Sequence, residues 1–376
     1  MESNVGIVVS GGPAPGINTA IHAVVIEARN AGLRTFGLQQ GFAAITLPES
    51  DAVSELTIDS VSRIFNRGGS ILGTSRFNPL KSEKLEADFY ALLKKHSINQ
   101  LVVIGGEGSA WISHQLTKKN KHVRVVHIPK TIDNDLILPQ QYPSFGFETA
   151  RFAGTRILDT LLVDAKTCGR WYVVTTMGRK AGFLALGLGV ASSATLTLIP
   201  EEFQGAQVTL DALAEIIFSS AERRYRSGKP YGLALLAEGI LDRIDPESCP
   251  ELAACPRDEL GRLRYADLEL SSLLVPRLRA KAAKQGMALS FTGKDIGHEL
   301  RCHEPVPFDI EYTKYLGYGA VKCLVNGITG VMVTRGFSEI GMVPLADLVT
   351  ADGSIKARTV DVQSEVYKVA RSFMLR

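Results

Sequence analysis

The chain has 376 residues, 45% of them hydrophobic and 22% charged, with a formal net charge of +3. That length supports two domains with separate cores, and the small charge, without a Lys/Arg block interleaved with aromatics, argues against nucleic acid as a partner. Five scattered cysteines with no CxxC pair favour reduced thiols and a cytoplasmic setting, and no secretory leader or membrane-length apolar run is present.

Gly6-Ile7-Val8-Val9 reads as the first strand, stopped by Ser10-Gly11-Gly12-Pro13-Ala14-Pro15-Gly16. Ile17 to Asn30 then repeats an apolar face at helical spacing, and Gly32 is a natural stop. Strand, glycine turn and helix together suit a phosphate, because glycines let amides approach an anion and the helix start adds positive potential. A tight βα turn explains the same residues. Neither the dinucleotide fingerprint nor the P-loop pattern is present. Thr35 to Leu38 resembles a second strand. Asn66 to Ser70 and Gly73-Thr74-Ser75-Arg76-Phe77 are glycine-rich loops whose arginines suit phosphate contacts or plain solvation. Ser82 to Lys95 reads as a scaffold helix with a solvated face.

Leu101 to Ile104 is a buried strand, and Gly105-Gly106-Glu107-Gly108-Ser109 repeats the N-terminal design with a carboxylate inside the turn. A magnesium-phosphate complex would use such a turn. Val123 to Ile128 is β-branched and reads as a buried parallel strand. The loop leaving it, Pro129-Lys130-Thr131-Ile132-Asp133-Asn134-Asp135, crowds two carboxylates, an amide, a hydroxyl and a lysine at the strand's carboxyl end, where open α/β sheets bind ligands. An Asx-turn loop is the alternative.

A second α/β region begins near residue 140. Strands at 171–174, 195–199 and 232–237 end in the polar segments Thr175 to Gly182, Pro200-Glu201-Glu202 and Glu238-Gly239, as a ligand crevice requires. Asp242 to Asp267, rich in Pro, Cys and charge, reads as a surface connection or insertion. His298-Glu299-Leu300-Arg301-Cys302-His303 resembles a zinc-protease helix, but histidines five apart fall on different helical faces. Arg301 beside His298 fits an anion site, or ordinary surface charge.

Together these segments resemble the phosphofructokinase family, over nearly the whole chain and in the family's order. The matching pieces are Gly11 to Gly16, Gly73 to Phe77, Gly105 to Ser109, Pro129 to Asp135, Met177-Gly178-Arg179, Glu238, and His298 to Arg301. The resemblance implies an α/β fold of two Rossmann-like α/β/α domains with mainly parallel sheets and an active-site cleft between them. Residues 1–140 plus roughly 255–305 would bind the phosphoryl donor, and roughly 141–254 plus 306–376 would bind fructose 6-phosphate. It also implies Mg²⁺-dependent phosphoryl transfer to the sugar's 1-hydroxyl.

By resemblance Asp133 is the catalytic base, Thr131 helps to place the reacting groups, and Gly11 and Arg76 meet the donor's phosphates. Gly105, Gly106, Glu107, Gly108 and Ser109 cradle the donor beside Phe77, and Glu107 holds Mg²⁺ where many members have Asp. Ile132, Met177, Gly178, Arg179, Glu238, His298, Glu299, Leu300 and Arg301 match the sugar-phosphate pocket. Arg170 matches an arginine that the family borrows from a neighbouring subunit, so a homodimer or homotetramer is implied. A second borrowed arginine has no clear counterpart, although Lys294 is nearby. The bacterial effector arginines are replaced by His22 and Ile26, so the familiar nucleotide and phosphoenolpyruvate control is not implied. Pro13 and Lys130 look like the pyrophosphate-using branch, whereas Gly108 looks like the ATP-using one. Gly108 leaves room for an α-phosphate, and on that ground ATP is the expected donor, with pyrophosphate the alternative. A lipid- or NAD-kinase would explain only the Gly105 to Ser109 turn. A sugar-phosphate sensor would have no need of a base such as Asp133.

Overall fold

The computed structural model describes residues 3–205, 207–256, 268–336, 338–351 and 353–376. Two compact units divide the chain, Met1–Ala150 with Glu299–Ala357 and Arg151–His298 with Arg358–Arg376.

The first unit opens with β1 (Asn4–Ser10), α1 (Ile17–Asn30), β2 (Thr35–Leu38), the short α2 (Glu49–Ala52), β3 (Val53–Leu56) and the short α3 (Ile58–Val61). It continues through α4 (Glu83–Lys95), β4 (Ile98–Gly105), α5 (Glu107–Lys119), β5 (Arg124–Thr131) and β6 (Phe145–Gly146). α6 (Phe147–Cys168) carries the chain into the second unit, built from β7 (Arg170–Thr176), α7 (Phe183–Ser192), β8 (Leu196–Leu198), α8 (Leu210–Arg226) and β9 (Gly232–Ala237). There follow α9 (Pro250–Ala254), α10 (Leu270–Lys284), β10 (Ser290–Ile296) and the four-residue α11 (His298–Arg301). α12 (Pro307–Val325), β11 (Val331–Arg335) and β12 (Ile340–Pro344) belong to the first unit again, and α13 (Glu365–Ser372) to the second.

In the first unit the sheet runs β12-β11-β5-β4-β1-β2-β3, with β6 paired to the end of β5. Neighbours are parallel except at the edges, where β3 and β12 pair antiparallel. Its central strands are covered on both faces, which is why Leu101 to Ile104 and Val125 to Ile128 carry almost no polar residue and are fully buried. α1 and α12 pack so closely that a Cβ on Gly317 would stand 2.5 Å from that of Ala23. The second unit holds a four-stranded parallel sheet in the order β10-β7-β9-β8. Trp171, Phe291, Leu213, Ile217, Leu274 and Leu278 are fully buried in its core.

Three expectations change. β5 runs three residues past Ile128, because Lys130 and Thr131 pair with Phe145 and Gly146. The Gly105 to Ser109 turn is only one residue long, since β4 runs to Gly105 and α5 already starts at Glu107. The stretch from Asp242 is not merely a surface connection: Ile244, Cys249 and Leu252 are buried in the second core, while residues 257–267 lie outside the described set. All five cysteines are free thiols, with Cys168 and Cys302 exposed. Among the described residues no helix is long and apolar enough to cross a membrane.

Candidate active site

Sheet register brings the first group of residues together. β1, β4 and β5 are neighbours, with Ser10 level with Gly105 and Gly105 level with Pro129. Gly11-Gly12, Gly106-Glu107 and Lys130 to Asp133 therefore leave the same edge of the sheet side by side. Gly11 has φ +90°, and its amide donates to the Ser75 carbonyl at 2.8 Å while Thr74 Oγ1 donates to the Gly11 carbonyl at 2.7 Å. Its amide is thus occupied, and what Gly11 offers an anion is the missing side chain. A Cβ there would lie 3.3 Å from the Lys130 ammonium. The loop that carries Arg76 is held by α1, whose Asn18 donates to the carbonyls of Arg67 and Gly68 and accepts from the Ile71 amide.

Lys130 is buried, and its ammonium donates to the Gly12 carbonyl. Burial, and then the positive charges of Arg301 and Arg76, push it down to about 7, with Asp133 opposing. Arg301, expected on the sugar phosphate, has its guanidinium carbon 3.6 Å from the position a Gly12 Cβ would take. Lys130, Arg76 and Arg301 accordingly form a cationic group around the Gly11-Gly12 turn. Arg76 is exposed, and Arg301 and Asp133 are half-buried.

The neighbouring turn is preorganised from inside. Gly106 caps α5 without a side-chain cap, so the first-turn amides of Glu107, Gly108 and Ser109 have no partner within the helix. The His127 ring is fully buried, with Nε2 2.8 Å from the Gly105 carbonyl and Nδ1 3.2 Å from Ser113 Oγ. Burial pushes this histidine down to about 4, so it is neutral and Nε2 donates to the carbonyl, which can only accept. Nothing in the local sequence marks His127; its role follows from strand pairing. A Cβ added to Gly108 would meet nothing within 4 Å, whereas one on Gly105 would strike Ser109 Oγ at 2.4 Å. Phe77 packs against the core of the first unit.

In the loop after β5, the Asp133 amide donates to Thr131 Oγ1 at 3.1 Å and Asn134 Oδ1 accepts from the Ser144 amide at 3.0 Å. Asn134 sits at φ +56°, a left-handed conformation that favours Asn among residues with side chains. The turn reading of the loop holds, because these bonds fix the conformation in which Asp133 sits. Ile132 is 5% exposed and belongs to the core.

A second group gathers at the carboxyl edge of the other sheet. Thr176 is level with Ala237 and with Ile296, so Met177-Gly178-Arg179, Glu238-Gly239 and Gly297-His298 leave adjacent strands. The Gly239 amide donates to the Gly178 carbonyl at 3.1 Å, and a Cβ on Gly297 would lie 2.6 Å from Met177 Cγ. Asp242, unmarked in the sequence, is raised by burial while Arg179 and Arg243 oppose. Glu201 is a buried cap, accepting from the amides of Gly182 and Val360. Arg170 lies at the other end of β7, ion-paired to Asp164 at 3.5 Å. Seven residues of strand separate it from Met177 by about 20 Å. Lys294, His298 and Glu299 are exposed, and Leu300 is fully buried, leaving only its backbone for a ligand. α11 ends at Arg301, so His298 and His303 do not share a helix.

A family model described as phosphofructokinase matches residues 4–324. The chain is 44% identical to the pyrophosphate–fructose 6-phosphate 1-phosphotransferase of Thermotoga maritima, over 100% of this chain and 91% of that protein. A protein of the same description from Naegleria fowleri is 41% identical, over 99% and 87%. An ATP-dependent 6-phosphofructokinase of Lactobacillus gasseri is 31% identical, over 92% and 94%. The solved phosphofructokinase of Saccharomyces cerevisiae shares the fold, with a TM-score of 0.69 at 20% identity over 99% of this chain and 46% of that longer chain.

Proposed function

Because the chain belongs to the phosphofructokinase family, we propose that it transfers a phosphoryl group to the 1-hydroxyl of fructose 6-phosphate, with pyrophosphate as the donor. The observation that carries the donor is Lys130, a buried lysine grouped with Arg76 and Arg301. Such a concentration of positive charge suits a donor whose leaving group is bare phosphate. The relatives at 44% and 41% identity carry pyrophosphate in their descriptions, and the ATP-dependent one stands at 31%. The expectation of ATP rested on Gly108. Open space around that position accommodates a nucleotide but does not require one, so the ATP reading becomes the second one.

In this mechanism Asp133 takes the proton of the sugar hydroxyl as its oxygen attacks the phosphorus, and the bond to the leaving phosphate breaks. The base need only accept a proton as that bond forms, so most of the acceleration comes from positioning and charge neutralisation. Lys130, Arg76 and the first-turn amides of α5 hold the donor, Gly11 admits it, and Thr131 fixes the loop that carries Asp133. Met177, Gly178, Arg179, Glu238 and His298 hold the sugar phosphate. Glu107 fits Mg²⁺, since it offers a hard carboxylate oxygen at the anion-binding turn and Mg²⁺ takes one or two carboxylates with substrate phosphates. When bound, Mg²⁺ neutralises charge on the donor. The chain works in the cytoplasm as a homodimer or homotetramer in which Arg170 serves a neighbouring subunit.

The test is steady-state kinetics with fructose 6-phosphate, Mg²⁺ and each donor, run in both directions with pyrophosphate. Pyrophosphate should give the higher kcat/KM. A higher value with ATP reverses the donor, and no bisphosphate from either donor removes the enzymatic reading.

A further inference from the structure

Asp309 is a fully buried carboxylate on the first turn of α12, and the sequence around it signals no chemistry. Its Oδ1 accepts from the Gly146 amide at 2.9 Å, and its Oδ2 accepts from the Thr149 amide at 2.8 Å and from Thr149 Oγ1 at 2.5 Å. Thr149 Oγ1 in turn accepts from the Val306 amide at 3.0 Å. The carboxylate therefore caps the start of α6 from more than 150 residues away, with the helix N-terminus favouring its charge.

What it holds is next to the chemistry. Gly146 is half of β6, whose two residues pair with Lys130 and Thr131. One residue earlier, Ser144 Oγ donates to the Thr131 carbonyl at 2.8 Å and the Ser144 amide donates to Asn134 at 3.0 Å. Residues 144–146 thus clamp both sides of the Thr131 to Asn134 turn, and Asp309 clamps residues 146 and 149. A turn further along α12, Thr313 Oγ1 donates to the Asp309 carbonyl at 2.6 Å, and its Cγ2 lies 3.0 Å from where a Gly16 Cβ would stand. The same helical turn therefore also abuts the end of the Gly11 to Gly16 loop.

We propose that Asp309 is a positioning residue for phosphoryl transfer, fixing β6 and through it the placement of Lys130, Thr131 and Asp133. This rests on the assignment of Asp133 and Lys130 above. Burial raises the Asp309 carboxyl to about 6 in spite of its three donors, so the charge is held against its own desolvation.

Asp309→Asn places an amide donor against donors and loosens the clamp. The variant should lose about 10- to 100-fold in kcat, with both KM values within about 3-fold of the parent. Hydrogen exchange should rise in peptides spanning residues 130–146. Thr149→Val, which deletes only the hydroxyl, should show a smaller fall in kcat, and Thr149→Ser should restore it; this pair decides the matter if Asp309→Asn does not fold. Parental kcat and unchanged exchange in Asp309→Asn, or in Thr149→Val if that is the folded variant, would overturn the proposal, as would a change confined to KM. A parent protein inactive with both donors would remove the proposed function, and the exchange data would then decide the role of Asp309 on their own.

Discussion

Lys130 has a free-chain value of 10.5 and a folded value of about 7, a lowering that fixes the sign of its effect. Between these values the unfolded chain binds the extra proton, so stability rises with pH across that window, and below about 7 the burden of a buried charge is fully present. Lys130→Met should therefore raise the melting temperature at pH 7 and flatten its climb towards pH 10, as measured by thermal unfolding over a pH series. If Lys130 meets the donor as proposed, the same variant should raise the KM for pyrophosphate at least about tenfold, because one charge-assisted contact to a phosphate is lost. A lower melting temperature with unaltered KM would contradict the placement of this lysine. Asp133→Asn keeps the shape of the turn and removes the proposed base. Its kcat should fall by at least about 10²-fold with substrate KM values little changed, and near-parental turnover would take Asp133 out of the mechanism.

At the scale of elements, the β4–α5 join separates two glycines that the sequence presents alike. A methyl on Gly105 meets Ser109 Oγ at 2.4 Å and the Ser10 carbonyl at 3.1 Å, whereas one on Gly108 meets nothing. Gly105→Ala should cost about 1–3 kcal/mol of stability by overpacking and weaken donor binding. Gly108→Ala should be neutral or stabilising by up to about 1 kcal/mol, since Ala suits a helix better. Denaturant titrations of the two variants check the contrast, and equal losses would contradict it. Local pattern made α1 legible to the residue, because its apolar face and Gly32 both act within the segment itself. It did not reveal that β5 continues through Pro129 to Thr131, since the cause is a two-residue strand 15 positions further on. His127 and Asp309 were illegible for the same reason: each owes its role to a partner that only the folded sheet brings near. Ile244, Cys249 and Leu252 misled in the other direction, as charged and proline neighbours masked residues that face a core.

For the whole molecule, the position of Arg170 has a direct consequence. Its strand end lies about 20 Å from Met177, so on the proposed sugar site one chain cannot bring both to one sugar. Mixing inactive Asp133→Asn with inactive Arg170→Ala chains, then reassembling them at random, should restore about one quarter of the sites in a two-fold dimer. Hybrid oligomers without recovered turnover would show that Arg170 does not act in trans.

The place of β11 beside β5 sets a schedule for biosynthesis. Val126 and His127 pair with Val331 and Met332, so a ribosome must add about 200 residues after finishing β5 before its neighbour exists. At bacterial and eukaryotic elongation rates that is a wait of about 10–40 s, during which an apolar parallel edge stays open to other strands. Nascent chains stalled after residue 150 should therefore be captured by chaperones or aggregate, whereas chains extended past residue 344 should resist pulse proteolysis. The chain's most vulnerable moment comes before its first unit is complete, and it is set by the order in which the sheet receives its strands.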